Sequence, residues 1–453
     1  VTCPLGSHNQ DGTGVFTITP AQSIFIVLPN DQFKSYNTST MKKLFLLPIL
    51  ILLSLGLSAK VVKVCPGCEV KSIKKAIELA GACDTVLVEG GRYVEGNLVI
   101  DKELWLIGKN FPILDGEGNS QLITIVSNHV TVEGFQIQNT GNSYIEDRAA
   151  IRIKECRDFV IRNNKVLDAF FAIYLQRVSH GTVEGNEVIG DAKEEANSGN
   201  AIHLWYCNNI QILGNKVSGH RDGIYLEFTN ESVIAFNHSQ GNLRYGLHFM
   251  FSNDNVYQSN IFRKNGAGVA VMYSKRIDMH DNLFEQNWGA AAYGLLLKEI
   301  NDSKITGNVF KENTVGVFTE TSNRVSYTGN VFSRNGWAIK ISGGCQQNQV
   351  EGNNFFSNSF DLAVHTAGVD NSFDGNFWSD YSGYDLDRDG WGDVPHRPMR
   401  LFSYVVSNTP ESIVLLRSLF VDILNFSEKV SPIFTPENVV DNRPSMKEYS
   451  VKS

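Results

Sequence analysis

Seven cysteines in 453 residues are too few for a scaffold built on disulfides. Positive charge is not in excess: 40 Lys and Arg face 48 Asp and Glu, for a formal net charge of −8, which argues against nucleic acid as a partner. No adjacent Asp-Asp pair occurs. The apolar run 44–57 is shorter than the roughly 18–20 residues that span a bilayer. Between residues 150 and 378, no segment between glycines and asparagines is long enough for the helices of a helical repeat. What is left is a chain with a large apolar core and short elements.

What fills 150–378 is one phrase repeated ten times. Its most regular feature is an Asn column: Asn164, Asn186, Asn215, Asn237, Asn260, Asn282, Asn308, Asn330, Asn353 and Asn376. The steps are 22 or 23 residues, except two longer ones that carry the insertions 191–200 and 290–294. Two places after each Asn runs an apolar column, Val166, Val188, Val217, Phe262, Phe284, Phe310, Phe332, Phe355 and Trp378, broken by Ser239. Five places after runs a second Asn column, Asn242, Asn265, Asn287, Asn313, Asn335 and Asn358. A fixed period marks a solenoid, and the apolar residues alternate, as in Gly223-Ile224-Tyr225-Leu226-Glu227. The reading is an all-β, right-handed parallel β-helix with about 22 residues per coil of three short strands. Asn supplies left-handed turns and side chains that bond along the axis, and stacked Phe fills the interior.

In chain order, residues 1–40 are expected to come from an upstream start codon, with the true start at Met41. Lys42-Lys43, the apolar run and Ser58-Ala59 form a secretory signal over 41–59, so that Lys60 begins a mature chain in an oxidising compartment. Residues 60–116 hold an N-terminal cap and first coils. Cys65-Pro-Gly-Cys68 suits a disulfide, in which Cys83 competes, or half a metal site. Ser72 caps a short amphipathic helix to Ala80 that covers the open end. Coils fill 117–378. In 379–453, Asp385, Asp387 and Asp389, closed by Asp393, resemble a calcium loop, although His396 stands where an EF-hand has its bidentate Glu; an Asx-turn network without metal is the alternative. Pro410 to Leu424 is expected to be an amphipathic helix with Ile413, Leu416, Leu419, Phe420 and Ile423 on one side, capping the far end or docking on a partner. A Pro-punctuated tail follows.

Stacking the coils builds two outward columns. One reads Arg152, Tyr174, His203, Tyr225, His248, Ala270, Leu296, Phe318, Lys340, Ala363. The other reads Lys154, Gln176, Trp205, Glu227, Met250, Met272, Lys298, Glu320, Ser342, His365. Imidazole and thioether thus gather on neighbouring coils. His203, His248, Met250 and Met272 form an exposed candidate site for copper, with Met selecting Cu(I). His203 and His248 are expected to reach over the intervening coil toward one ion, with Tyr225 or Glu227 bonding a ring nitrogen. The alternatives are an aromatic surface under a loop and a sugar-binding platform.

Several features together carry a resemblance: the signal, the capping helix, the coils, Gly246-Leu-His-Phe-Met-Phe-Ser-Asn-Asp254, and the stretch from Gly383-Tyr-Asp-Leu-Asp-Arg-Asp-Gly-Trp-Gly-Asp393 through Pro395 and Arg397-Pro398 to the Pro410 segment. Over about 60–445 the chain resembles the NosD family. The resemblance implies a periplasmic, non-enzymatic subunit that helps mature the copper centres of nitrous oxide reductase. It would sit on an ABC transporter (permease and ATPase) and receive copper from a small lipoprotein chaperone. His248 and Met250 lie inside the matching phrase; His203, Met272 and Glu227 come from the stacking alone. The rival class is a carbohydrate-active lyase, hydrolase or epimerase, or a carbohydrate-binding surface protein, on the same fold. The missing Asp-Asp pair speaks against a polygalacturonase, and an outward sheet of His, Met and aromatics speaks against a pectate lyase.

Overall fold

The computed structural model describes residues 59–141, 147–289, 292–364, 370–430 and 439–450. Residues 41–58 of the segment expected to be a signal peptide, and His365, lie outside them.

From Val61 to Trp378 the chain winds as a right-handed parallel β-helix whose strands form three parallel sheets. Sheet A has fourteen strands, starting at Val61–Val64. Sheet B has thirteen, ending at Phe377–Trp378. Sheet C has twelve, from Leu98–Ile100 to Phe360–Val364. Each coil gives one strand to each sheet, as with Val160–Arg162, Lys165–Leu167 and Phe171–Gln176.

The Asn column is the axial spine. Each ladder Asn donates its backbone N–H and its side-chain Nδ2 to Oδ1 of the next, at 2.9–3.1 Å from Asn164 through Asn376. The second column runs likewise from Asn242 to Asn358, except that Asn265 donates its Nδ2 to Ser239 O. The left-handed residue, however, is not the ladder Asn but the one before it: Asn163, Gly185, Gly214, Phe236, Ser259, Asp281, Gly307, Gly329, Gly352 and Gly375 all have positive φ. That turn swings the next side chain inward, where the ladder amides are buried and need one another. The interior Phe rings stack from Phe262 to Trp378 with centroids 4.1–5.5 Å apart. At the Ser239 break, Phe249 of sheet C fills the core of the same coil, against Tyr257 of the next.

Helix α1 (Ile73–Leu79) covers the first coils with Ile73, Ala76 and Ile77 buried. Ser72 caps it by accepting from Lys75 N, and the Glu95 carboxylate accepts from the N–H groups of Ile73 and Lys74 at 2.7 and 2.9 Å. Negative charge at a helix N-terminus meets both the free N–H groups and the dipole. Cys65 pairs with Cys68, not with Cys83.

The far end departs from expectation. No single helix runs from Pro410 to Leu424. Helix α2 (Leu401–Asn408) is followed by a 3₁₀ turn (Pro410–Leu415) and helix α3 (Leu419–Val430). Pro410 restarts the chain at a first-turn position, and Ser418 begins the next helix, its Oγ accepting from Val421 N at 3.4 Å. These helices lie on the outer face of sheet C, where Phe402, Val406 and Val421 pack on Val315, Trp337, Phe360 and Ala363. The end of the coil stack is closed instead by residues 439–449. Asp441 bridges both Phe373 and His396, and Ser445 bridges Phe377. Fully buried, Asp441 takes the place of the next ladder Asn: its Oδ2 accepts from Asn376 N (2.9 Å), Asn376 Nδ2 (3.2 Å) and Trp378 Nε1 (3.0 Å), and its Oδ1 accepts from Gly375 N (3.0 Å).

Candidate metal centre on the outer face of sheet C

The strand registers place both outward columns as the period predicts. Tyr174, His203, Tyr225, His248 and Ala270 are consecutive partners, and so are Gln176, Trp205, Glu227, Met250 and Met272. Neighbouring positions in such a ladder are about 4.8 Å apart, so the two thioethers of Met250 and Met272 stand side by side, half-exposed.

Three details differ from the sequence reading. First, the imidazoles are not exposed: His248 is 3% accessible and His203 is also buried. Second, they do not face each other across open space. The Tyr225 ring is wedged between them, 4.8 Å from each, in a run of rings that continues to Tyr174 and Tyr245. Third, Tyr225 does not bond a ring nitrogen. Its hydroxyl donates to Met250 Sδ at 3.5 Å. Glu227 is likewise absent from the contacts of either ring among the described residues. The arrangement therefore places His248 and Met250 against Tyr225, with Met272 beside Met250 on the next coil and His203 on the far side of the Tyr225 ring. One imidazole beside two thioethers is a donor set matched to Cu(I).

The surroundings of the rings are polar and were not legible in the columns. Asp222, 1% accessible, lies with Oδ2 at 3.6 Å from His248 Nδ1, and Arg244 Nε lies 3.4 Å from its Oδ1. Arg221 Nε is 4.0 Å from the same carboxylate. Buried Asn200, the last residue of the first insertion, places Nδ2 3.4 Å from His203 Nδ1. Burial, with the Arg221 charge adding to it, holds the His203 imidazole down at about 3, so it is neutral at ordinary pH. The signal for Asp222 is hidden by a bend. Strict alternation from Ile224 points residue 222 inward, but Gly223 faces the interior, where a Cβ would meet Ser239 Oγ at 2.2 Å, and Asp222 joins the outer face.

Beside the Met column a third line was also missed. Tyr206, Phe228, Phe251 and Tyr273 occupy left-handed turn positions on the same four coils, with ring centroids 4.6–5.2 Å apart and planes within 18°. Bulky residues in that conformation are not expected from propensity. Because the rings cover one another's faces, they offer edges rather than the flat faces on which sugars stack.

Elsewhere, the oxygens of Asp385, Asp387 and Asp389 come within 4.8 Å of one another. Each already serves the turn: Asp385 accepts from Asp389 N and Gly390 N, Asp387 from Asp389 N, and Asp389 from Trp391 N. Asp393 stands outside the group and accepts from Leu386 N at 2.7 Å. The Cys65–Cys68 disulfide leaves no thiolate for a metal.

Among the described residues, no helix is long and apolar enough to cross a membrane. The apolar side expected of the C-terminal segment is largely exposed, with Leu419 74%, Phe420 58% and Ile423 56% accessible, while Leu416 of that side faces the sheet together with Val421.

Comparison with known proteins agrees with this fold. Among solved structures, a family 28 exopolygalacturonase of Yersinia enterocolitica shares the fold, with a TM-score of 0.54, 11% identity, 69% of this chain and 78% of that one. The chain is 30% identical to a probable ABC transporter binding protein NosD of Pseudomonas aeruginosa, over 79% of this chain and 87% of the relative. It is 29% identical to the protein of the same description in Stutzerimonas stutzeri, over 79% and 85%. The family model described as periplasmic copper-binding protein (NosD) matches residues 109–238 and 190–383. This chain belongs to the NosD family.

Proposed function

We propose that this protein is a periplasmic, non-enzymatic accessory factor that accepts Cu(I) on the outer face of sheet C and passes it on for assembly of the copper centres of nitrous oxide reductase, while docked on an ABC transporter. The observation that carries the reading is the side-by-side placement of Met250 and Met272 next to His248 in a chain of this family. Thioether and neutral imidazole ligands favour Cu(I) but hold it less firmly than thiolates, which suits hand-over from a lipoprotein chaperone and onward transfer. The transporter contact is assigned to the exposed apolar side of the C-terminal helices, which sit on the same face of sheet C, on the coils that follow the Met pair. An apolar side of that extent marks a protein contact.

The enzyme reading has less support. The shared fold with an exopolygalacturonase is a likeness of architecture alone. The one deeply buried carboxylate beside the rings, Asp222, is engaged by Arg244, and the exposed ring ladder presents edges. A Cu(I) competition titration tests the proposal: one equivalent bound by the wild-type protein and lost in the His248→Ala, Met250→Ala variant supports it. Equal binding by both removes the site. Cleavage of a polyuronate by the purified chain would favour the enzyme.

A further inference from the structure

The contacts around Asp222 are unusual for a buried ion pair. Charge-assisted hydrogen bonds run about 2.7–2.9 Å, yet Asp222 is 3.4 and 3.5 Å from Arg244, 4.0 Å from Arg221 and 3.6 Å from His248 Nδ1. The carboxylate thus accepts one long hydrogen bond, from Arg244 Nη2, and its Oδ1 has no hydrogen-bond partner among the described residues. Among the described residues neither nitrogen of His248 has a hydrogen-bond partner, and its ring lies against those of Tyr225 and Tyr245. The Asp222–His248 separation is roughly 0.4 Å beyond the ordinary hydrogen-bond range. The sequence places the two groups together for a reason of register. Asp222 pairs with Tyr245 and Tyr225 pairs with His248, so the carboxylate and the ring lie on adjacent coils, diagonal to each other.

We infer that Asp222 is a positioning residue for the candidate copper site: it takes the Nδ1–H of His248 and so leaves the lone pair on Nε2. An imidazole ligates a soft metal through one unprotonated nitrogen, and a carboxylate on the other nitrogen fixes tautomer and ring orientation. Arg244 and Arg221 offset the cost of keeping the carboxylate charged in a buried place. Arg244 also lies over the Tyr245 ring, 4.9 Å from its centroid, which holds the guanidinium at the rim. The inference rests on the copper reading for its purpose but not for its geometry, and the two are tested separately.

The experiment is ¹⁵N long-range correlation spectroscopy on metal-free protein labelled at histidine, with the His248 signal assigned by its loss in His248→Gln. Wild type is expected to carry the proton on Nδ1. Asp222→Asn is expected to move it to Nε2 or to a mixture, and to lower Cu(I) affinity by about 10–100-fold, the usual effect of losing such a partner. Arg244→Met, which removes the ion pair but keeps the carboxylate, is expected to leave the tautomer unchanged. An Nε2–H tautomer in wild type overturns the inference even if no Asp222 or Arg244 variant folds. So does an unchanged tautomer in Asp222→Asn. If wild type shows Nδ1–H while the His248→Ala, Met250→Ala variant binds Cu(I) like wild type, the copper reading falls and the Asp222 orientation stands.

Discussion

Replacing Asp441 by alanine separates the cap of this solenoid from its arm. The carboxylate accepts from Gly375 N, Asn376 N, Asn376 Nδ2, Trp378 Nε1 and Arg443 N, at 2.9–3.2 Å. Hydrogen bonds to a charged acceptor contribute about 1.5–3 kcal/mol each, but they are not additive, and water reaches a frayed end. We therefore expect a loss of roughly 3–5 kcal/mol, the cost of breaking one buried charged centre. In a solenoid each coil contacts only its neighbours, so the loss should appear as opening of the last coils and not as global unfolding. Hydrogen exchange read by mass spectrometry is the assay. Peptides covering 373–378 and 439–449 should exchange faster by a factor of 100 or more, at about 1.4 kcal/mol per tenfold, while peptides covering 160–260 stay protected. Asp441→Asn keeps an acceptor for Asn376, as every earlier rung does, and should cost less. Unchanged exchange at 373–378 in Asp441→Ala would refute the capping role and return it to the helices.

The helical arm should be dispensable for the fold: Phe420→Asp with Phe426→Asp, on exposed positions, should leave the melting temperature within a few degrees of wild type and abolish co-purification with a transporter permease. Burial holds His220 down at about 4, against about 6.5 in an unfolded chain, so between those values the unfolded state binds a proton that the folded state does not. Stability should therefore fall as pH drops through that window, by about 1.4 kcal/mol per unit from this residue, and urea titrations of His220→Gln should show a shallower decline. Tyr225→Phe removes the donor to Met250 Sδ but keeps the wedge between the rings; circular dichroism should be unchanged, and Cu(I) affinity should shift by tenfold or less.

The coil period, the Asn and Phe ladders and both outward columns were legible because a solenoid writes its register along the sequence: Tyr225 falls opposite His248 and Glu227 opposite Met250 once the Asn column is aligned. What escaped were departures from strict alternation. The bend at Gly223 turned Asp222 outward, and the left-handed turns aligned Tyr206, Phe228, Phe251 and Tyr273 into a stack. Convergence of His203 and His248 failed for a steric reason, since the coil between them carries Tyr225 and a ring of that size fills the gap. The C-terminal segment was legible as apolar but not as three elements, and nothing in its pattern showed that residues 439–449 close the stack, with the Asp441 carboxylate continuing the Asn ladder.

X-ray absorption at the copper edge of the protein loaded with one equivalent of Cu(I) tests the central claim most directly. The account predicts sulfur scatterers together with an imidazole in wild type. The sulfur shell should be reduced in Met250→Leu and again in Met250→Leu with Met272→Leu, and the imidazole signal should be lost in His248→Ala. A copper environment made of oxygen and nitrogen alone, or one unchanged in those variants, would contradict it.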